Sequence, residues 1–289
     1  MNRYEVLREL HRAYRPRTYL EIGVNRGRSL SLSHTRTIAV DPAFKIMAEL
    51  ACDLELVKAT SDEFFARADA FSHFDGDPVD LAFIDGMHTF EVVLRDFVNV
   101  ERHADWTSVL VVDDIFPRGS TEAARERKTK AWTGDVFKIV DFLAEHRPDL
   151  LLVPLDTEPT GVLIILGADP ERSAQGDGYA DLVGRYVQDD PQVVPPGVLR
   201  REGAFDAAAL LQSPFWKELA VARDAGRSRA DDWPTLRKAA EQSLRRVGPR
   251  SVIRARAVEP ARLRAESSRS ATLLRRALRF AGMRPRRRV

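Results

Sequence analysis

The chain of 289 residues holds one cysteine, Cys52. That excludes an internal disulfide and a zinc centre built from several thiolates. No activating group stands beside Cys52, so it reads as a small buried side chain rather than a nucleophile. No apolar run approaches the ~20 residues that a membrane-crossing helix requires. Residues 1–16, MNRYEVLRELHRAYRP, have no apolar signal core, so the expected compartment is the cytoplasm. No internal repeat is visible. An apolar fraction of 44% and a charged fraction of 30% describe an ordinary globular composition.

The formal net charge of +2 hides an asymmetry. Residues 223–289 contain 20 Lys/Arg against 6 Asp/Glu, so the remainder of the chain is acidic. A segment so charged buries little apolar surface, and a basic, flexible tail is expected there. Leu273, Leu274, Leu278 and Phe280 among arginines suggest a short interfacial helix and docking to an anionic membrane surface, which would make the protein peripheral to the membrane. Nucleic acid is disfavoured as a partner, because few aromatic residues interleave with the arginines. Oligomeric state is not legible.

Between Tyr19 and Pro117 the pattern is regular. Four apolar segments of strand type each end on, or break after, an acidic residue. Tyr19 to Ile22 carries Glu21 and breaks into Gly23-Val24-Asn25-Arg26-Gly27-Arg28-Ser29. Ile38 to Val40 ends on Asp41. Val79 to Ile84 ends on Asp85, with His88 three residues on. Val109 to Val112 ends on the pair Asp113-Asp114. Ligands of open α/β sheets bind beyond the carboxyl ends of the strands, so these side chains should converge on one crevice.

Helical spacing is read over residues 3–15, from Ser29 to Ser33, after Ser61-Asp62-Glu63, over Phe90–Arg102 and over Gly134–Arg147. Leu150–Leu155 and Gly161–Leu166 are strands whose connection is too short for a crossover helix, so they form an antiparallel hairpin. The expected fold is α/β, Rossmann-like and doubly wound. It has a mostly parallel seven-stranded sheet, a C-terminal antiparallel hairpin and a helical C-terminal extension. Three regions follow: a cofactor-binding domain over 1–170, a helical appendage over 171–222 and the tail over 223–289.

Glycines at 23 and 27 suit a sharp turn that approaches a ligand closely, although the sixth position of the dinucleotide fingerprint is Arg28 instead of glycine. Asp41, 18 residues beyond Gly23, stands where an acid accepts hydrogen bonds from ribose hydroxyls. The carboxylates of Asp85, Asp113 and Asp114 are hard oxygen ligands suited to Mg²⁺ or a similar divalent cation. His88 can take up a proton near neutral pH. Trp132 and Asp135 are candidates for the acceptor side, with simple helix-start packing as the alternative, in which Thr133 or Asp135 serves the helix amino terminus.

The run YLEIGVNRGRS…AVDP…DLAFIDGMHTFEVVLRD…VLVVDDIFP…WTGDVFKIVDFL…VPLDTEPTGVLIIL resembles class I S-adenosylmethionine-dependent methyltransferases, and within them the macrocin-type sugar O-methyltransferase group, over roughly residues 15–168. The resemblance implies S-adenosylmethionine as cofactor. Glu21, Gly23 and Gly27 would shape its methionine end, Asp41 would hold the ribose, and Ser61 and Asp62 would lie beside the adenine, with Asp85 also facing the cofactor. It further implies a divalent cation on Asp85, Asp113 and Asp114, and a base at His88. Catechol-type members place a basic residue where His88 stands. Sugar-methylating members carry an acid where this chain has Met87. The implied reaction is methyl transfer to a hydroxyl of a sugar, glycan or natural product. A nicotinamide dehydrogenase would not require Asp113-Asp114 or the terminal hairpin. A non-catalytic or regulatory cofactor-binding module with a basic docking tail has no use for an acidic rim.

Overall fold

The computed structural model describes residues 1–172 and 179–249. Helix α1 (Arg3–Tyr14) is followed by β1 (Thr18–Ile22), β2 (Arg36–Val40), β3 (Asp53–Val57), α2 (Ser61–Phe65), β4 (Val79–Ile84), α3 (Phe90–Glu101), β5 (Ala104–Asp113), α4 (Lys138–His146), β6 (Leu151–Leu155) and β7 (Val162–Leu166). These strands form one sheet in the order β3-β2-β1-β4-β5-β7-β6. Strands β1 to β5 run parallel, while β7 pairs antiparallel with both β5 and β6. The doubly wound sheet with its terminal hairpin is therefore as the pattern of apolar segments predicts. The order reverses between β1 and β4, and their carboxyl ends face the crevice where such sheets bind ligands.

The central strands are buried on both faces, which explains their continuous apolar runs. On one face Leu20, Ile38, Ala82 and Leu110 pack with Phe97 of α3 and Phe142 of α4. On the other, Tyr19, Ala39, Leu81 and Val109 pack with Leu7 and Leu10 of α1 and with residues from the carboxyl-terminal helices.

One difference from the expectation concerns a connection. The segment after the glycine loop is a single 3₁₀ turn, Leu30–Leu32, rather than a helix; the link from β2 to β3 also contains no helix. Asn25 and Gly27 both adopt positive φ, so the chain reverses tightly instead of winding onward. Cys52 in that second link is half-buried, and its thiol has no activated neighbour; burial pushes its pKa up.

A second difference lies in the tail. Beyond the sheet come α5 (Tyr179–Tyr186), α6 (Pro196–Leu199), α7 (Ala207–Leu211), α8 (Phe215–Asp224) and α9 (Arg229–Val247). A flexible tail beginning at 223 does not hold over α9, whose Trp233, Leu236, Ala240 and Leu244 are buried in the second core. Their spacing of three and four residues makes a narrow apolar stripe, masked in the sequence by the arginines of its other faces. Arg237 and Arg229 reach back to the carbonyls of Asp149 and Gly167. The expected interfacial helix around 271–280 lies outside the described residues. Among the described residues no helix is long and apolar enough to cross a membrane.

Candidate active site

A cleft of about 820 Å³ opens at the carboxyl ends of β1, β2, β4 and β5. Gly23, Asp41, Ser61, Asp62, Asp85, His88 and Asp114 all line it, together with Arg3 and Trp132. Its size suits a nucleoside-type cofactor with a second small molecule beside it.

The glycine loop is built by contact with β4. Gly23 has φ +91, and a Cβ there would lie 2.0 Å from the carbonyl oxygen of Asp85. Glycine is thus required because two loops touch. Asp41 fastens the same loop from β2: its Oδ2 accepts from the backbone N–H groups of Val24 and Asn25 at 3.0 and 2.7 Å, and its Oδ1 accepts from Ala43 N–H at 2.6 Å. The carboxylate therefore serves the loop's shape as well as any ribose. Gly27 closes a turn through its N–H to Val24 O, and Ile46 covers it, so it shapes the loop from behind.

Glu21 points away from the cleft. It is fully buried and accepts from the hydroxyls of Ser29 and Tyr19, each at 2.7 Å. Burial raises its pKa to about 8 against these two hydrogen bonds, so the group is held as a neutral acid below that pH. Glu21 supports the loop and does not line the pocket. Asp62, on the cleft wall, is held in a two-pronged pair by Arg95 at 2.6 and 2.7 Å. The helix that begins at Ser61 is capped by Thr60, whose side chain accepts from Glu63 N–H.

The acidic floor has a definite layout. Asp85 follows β4, and Asp114 follows β5 in a left-handed conformation, φ 64, that is uncommon outside glycine. Thr160, from the hairpin loop, donates its hydroxyl to Asp114 Oδ1. His88 stands between the two carboxylates. Its Nε2 is 3.3 Å from Asp85 Oδ1, and its Nδ1 is 3.1 Å from Asp114 Oδ2 and 2.7 Å from the carbonyl oxygen of Trp132. A carbonyl only accepts, so Nδ1 carries a proton. Burial opposes a charge on His88, but the hydrogen bond it donates to Asp85 and the charges of Asp114 and Asp85 outweigh it and lift the pKa to about 9. Asp114 is pushed up to about 6, by burial first and then by Asp85, against the pull of His88.

Ligand atoms of Asp85, His88 and Asp114 lie within 4.8 Å of one another, a donor set that fits a divalent cation. Asp113 is not among them. Its carboxylate is buried and ion-paired with Arg3 of α1, whose guanidinium also comes within 3.8 Å of Asp85 and 4.0 Å of Asp114. Of the expected cation set Asp85, Asp113 and Asp114, the structure thus brings Asp85 and Asp114 together, with His88 between them, and turns Asp113 to Arg3. Successive strand residues point to opposite sides, and the left-handed turn at Asp114 decides which carboxylate reaches the cleft.

Segment 117–137 forms the far wall. Trp132 stacks on His88 at 4.9 Å with 19° between the rings, and Arg127 lies 5.9 Å from its centroid. Gly134 packs against His88 so closely that a Cβ would meet its carbonyl oxygen at 1.6 Å. Asp135 is buried. It accepts from Phe90 N–H at the start of α3 and pairs with Arg125 and Lys138, so it serves a helix start (that of α3, not of α4) and does not line the cleft. Arg3, Thr160 and Gly134 escaped the sequence reading. Only Gly134, in Thr133-Gly134-Asp135, carried a local signal.

Residues 20–115 match the family described as methyltransferase domain. The match covers a third of the chain, and it spans the strands whose carboxyl ends form the cleft. No curated protein matches it. Among solved structures it is similar to cofactor-bound Rv0187 from MTB, at 19% identity over 58% of this chain and 82% of that one, TM-score 0.42. The O-methyltransferase TomG from Streptomyces achromogenes, in complex with SAM, is matched at 19% identity over 57% and 79%, TM-score 0.42. MycE from the mycinamycin biosynthetic pathway, in complex with Mg and SAH, is matched at 16% identity over 61% and 54%, TM-score 0.38. At such identities and scores these likenesses carry no argument about chemistry.

Proposed function

We propose that the chain transfers the methyl group of S-adenosylmethionine to a hydroxyl of a sugar, glycan or natural product, with a divalent cation assisting. The observation that carries this reading is His88 set between Asp85 and Asp114 at the base of the cofactor cleft. A cation bound there would polarise the acceptor hydroxyl and lower its pKa. Asp85 and Asp114 would hold it through one oxygen each, leaving further positions to water and acceptor, as Mg²⁺ prefers.

The remaining work belongs to the chain's own groups. The glycine loop and Asp41 would hold the cofactor in the cleft that the acidic floor also lines. Trp132 stacks on the His88 ring, and its carbonyl takes the Nδ1–H. A cation on Asp85 and Asp114 would offset the charges that raise the His88 pKa, leaving Nε2 with a free lone pair to take the acceptor's proton, while S-adenosylmethionine would supply the methyl group. One lone pair cannot both ligate a cation and take a proton, so His88 is assigned the proton and the carboxylates the cation. Holding acceptor and methyl in line supplies much of the rate.

The test is release of S-adenosylhomocysteine with sugar and phenol acceptors, before and after exhaustive chelation, in the wild type and in Asp85→Asn. Turnover that falls on chelation, returns with Mg²⁺ and is lost in Asp85→Asn is expected. Undiminished turnover after chelation removes the cation from the reading.

A further inference from the structure

The base of α1 reaches into the acidic floor. The helix start is rigid: Asn2 accepts from Glu5 N–H at 3.1 Å while Glu5 accepts from Asn2 N–H at 2.7 Å. Glu158, in the hairpin loop that carries Thr160, donates its N–H to Met1 O at 3.0 Å. From this anchored turn Arg3 sends its guanidinium between three carboxylates. Its side chain is 24% exposed, against 2% for Asp113. A guanidinium is not deprotonated in proteins, so Arg3 stays a cation. Three carboxylates this close need a compensating positive charge.

We propose that Arg3 is a resident cation of the acidic floor: it holds Asp113 out of metal coordination and limits a divalent ion to the side of Asp85 and Asp114. This rests on the reading of those two residues as the cation site. A guanidinium offers donors in a fixed plane and no open coordination position, so it neutralises charge without polarising an acceptor. The floor is thus divided. The inner half is neutralised permanently from α1, and the outer half stays open toward the cleft. One consequence is a floor that keeps its shape when no divalent ion is bound. A second is a reduced pull on that ion, since a fixed positive charge stands about 4 Å from two of its ligands.

The experiment uses the full-length wild type, Arg3→Met and Arg3→Lys. Thermal melting is followed in EDTA and in millimolar Mn²⁺, and Mn²⁺ affinity is measured by calorimetry. In EDTA, Arg3→Met should melt below the wild type, and Mn²⁺ should restore most of the loss. Arg3→Lys should stay near the wild type. Arg3→Met should bind Mn²⁺ at least tenfold more tightly than the wild type. Melting of Arg3→Met at the wild-type temperature in EDTA, a loss that Mn²⁺ leaves unchanged, or equal Mn²⁺ affinities would overturn the proposal. Should Arg3→Met fail to fold in EDTA, recovery on refolding with Mn²⁺ supports the proposal and failure to recover overturns it. A wild type that binds no Mn²⁺, beside an Arg3→Met that does, would sink the cation reading of the active site while sustaining the role of Arg3.

Discussion

At the scale of single residues, the division of labour between His88 and the carboxylates makes separable predictions. His88→Ala should keep Mn²⁺ binding close to that of the wild type and lower turnover by about 10²–10⁴-fold, the usual weight of a positioned base. Asp85→Asn should lose both. Calorimetry and turnover on the same two variants check this, and a His88→Ala that turns over normally would remove the histidine from the proton path. The sequence places Asp85, His88 and Asp114 at one rim, because Asp85 and Asp114 close apolar strands, His88 stands three residues beyond Asp85, and the sheet order does the rest. It does not reveal Arg3. That residue lies some 80 positions before Asp85 and is brought to the floor by the packing of α1. Nor does it separate Asp113 from Asp114, since that choice depends on one left-handed backbone turn. Asp41 and Glu21 were visible as acids, but their hydrogen bonds to loop amides and hydroxyls were not.

At the scale of elements, the wall that carries Trp132 is fixed on His88 by Gly134. With φ +55 and no room for a Cβ, Gly134→Ala should destabilise the fold by more than ~1 kcal/mol and depress turnover further by displacing His88. Urea melts beside activity measurements test both. Helix α1 carries a second prediction. The ring of His11 packs edge-on against Tyr19, and its Nε2 is buried without a hydrogen-bond partner among the described residues. Burial, with a smaller contribution from His34, lowers its pKa from 6.5 to about 4. In that window the unfolded chain takes up a proton that the folded chain refuses, so this contribution is complete above about pH 6.5 and is lost as pH falls toward 4. Between about pH 7.5 and about pH 5 the wild type should lose about 2 kcal/mol more than His11→Gln does. Parallel pH dependence of the two proteins would contradict the assignment. Element boundaries were less legible than element types. Helical spacing located α1 and α3 closely, whereas α4 begins four residues later than its apolar pattern, because Gly134 and Asp135 are committed to His88 and α3.

At the scale of the whole molecule, α1, α8 and α9 cover one face of the sheet, so the carboxyl-terminal helices belong to the core instead of hanging from it. Trp233 is the measure of this. It packs 6.2 Å from Trp106 and so close to Gly167 that a Cβ there would meet its ring at 2.2 Å. Trp233→Ala should cost about 3–5 kcal/mol in urea unfolding, the usual range for an aromatic removed from a core. A loss near zero would return α9 to the status of an appendage. Net charge over 223–289 hid this helix because four buried residues suffice to dock it, and most of the basic excess lies beyond it. The sheet was legible because buried parallel strands leave continuous apolar runs. The central claim is a cofactor site at the ends of those strands, and calorimetric titration of the full-length protein with S-adenosylmethionine tests it most directly. The account predicts saturable binding that Asp41→Ala weakens by about 1.5–3 kcal/mol, through lost hydrogen bonds to ribose and loop. Absence of binding in the wild type, or equal affinity in Asp41→Ala, would contradict it.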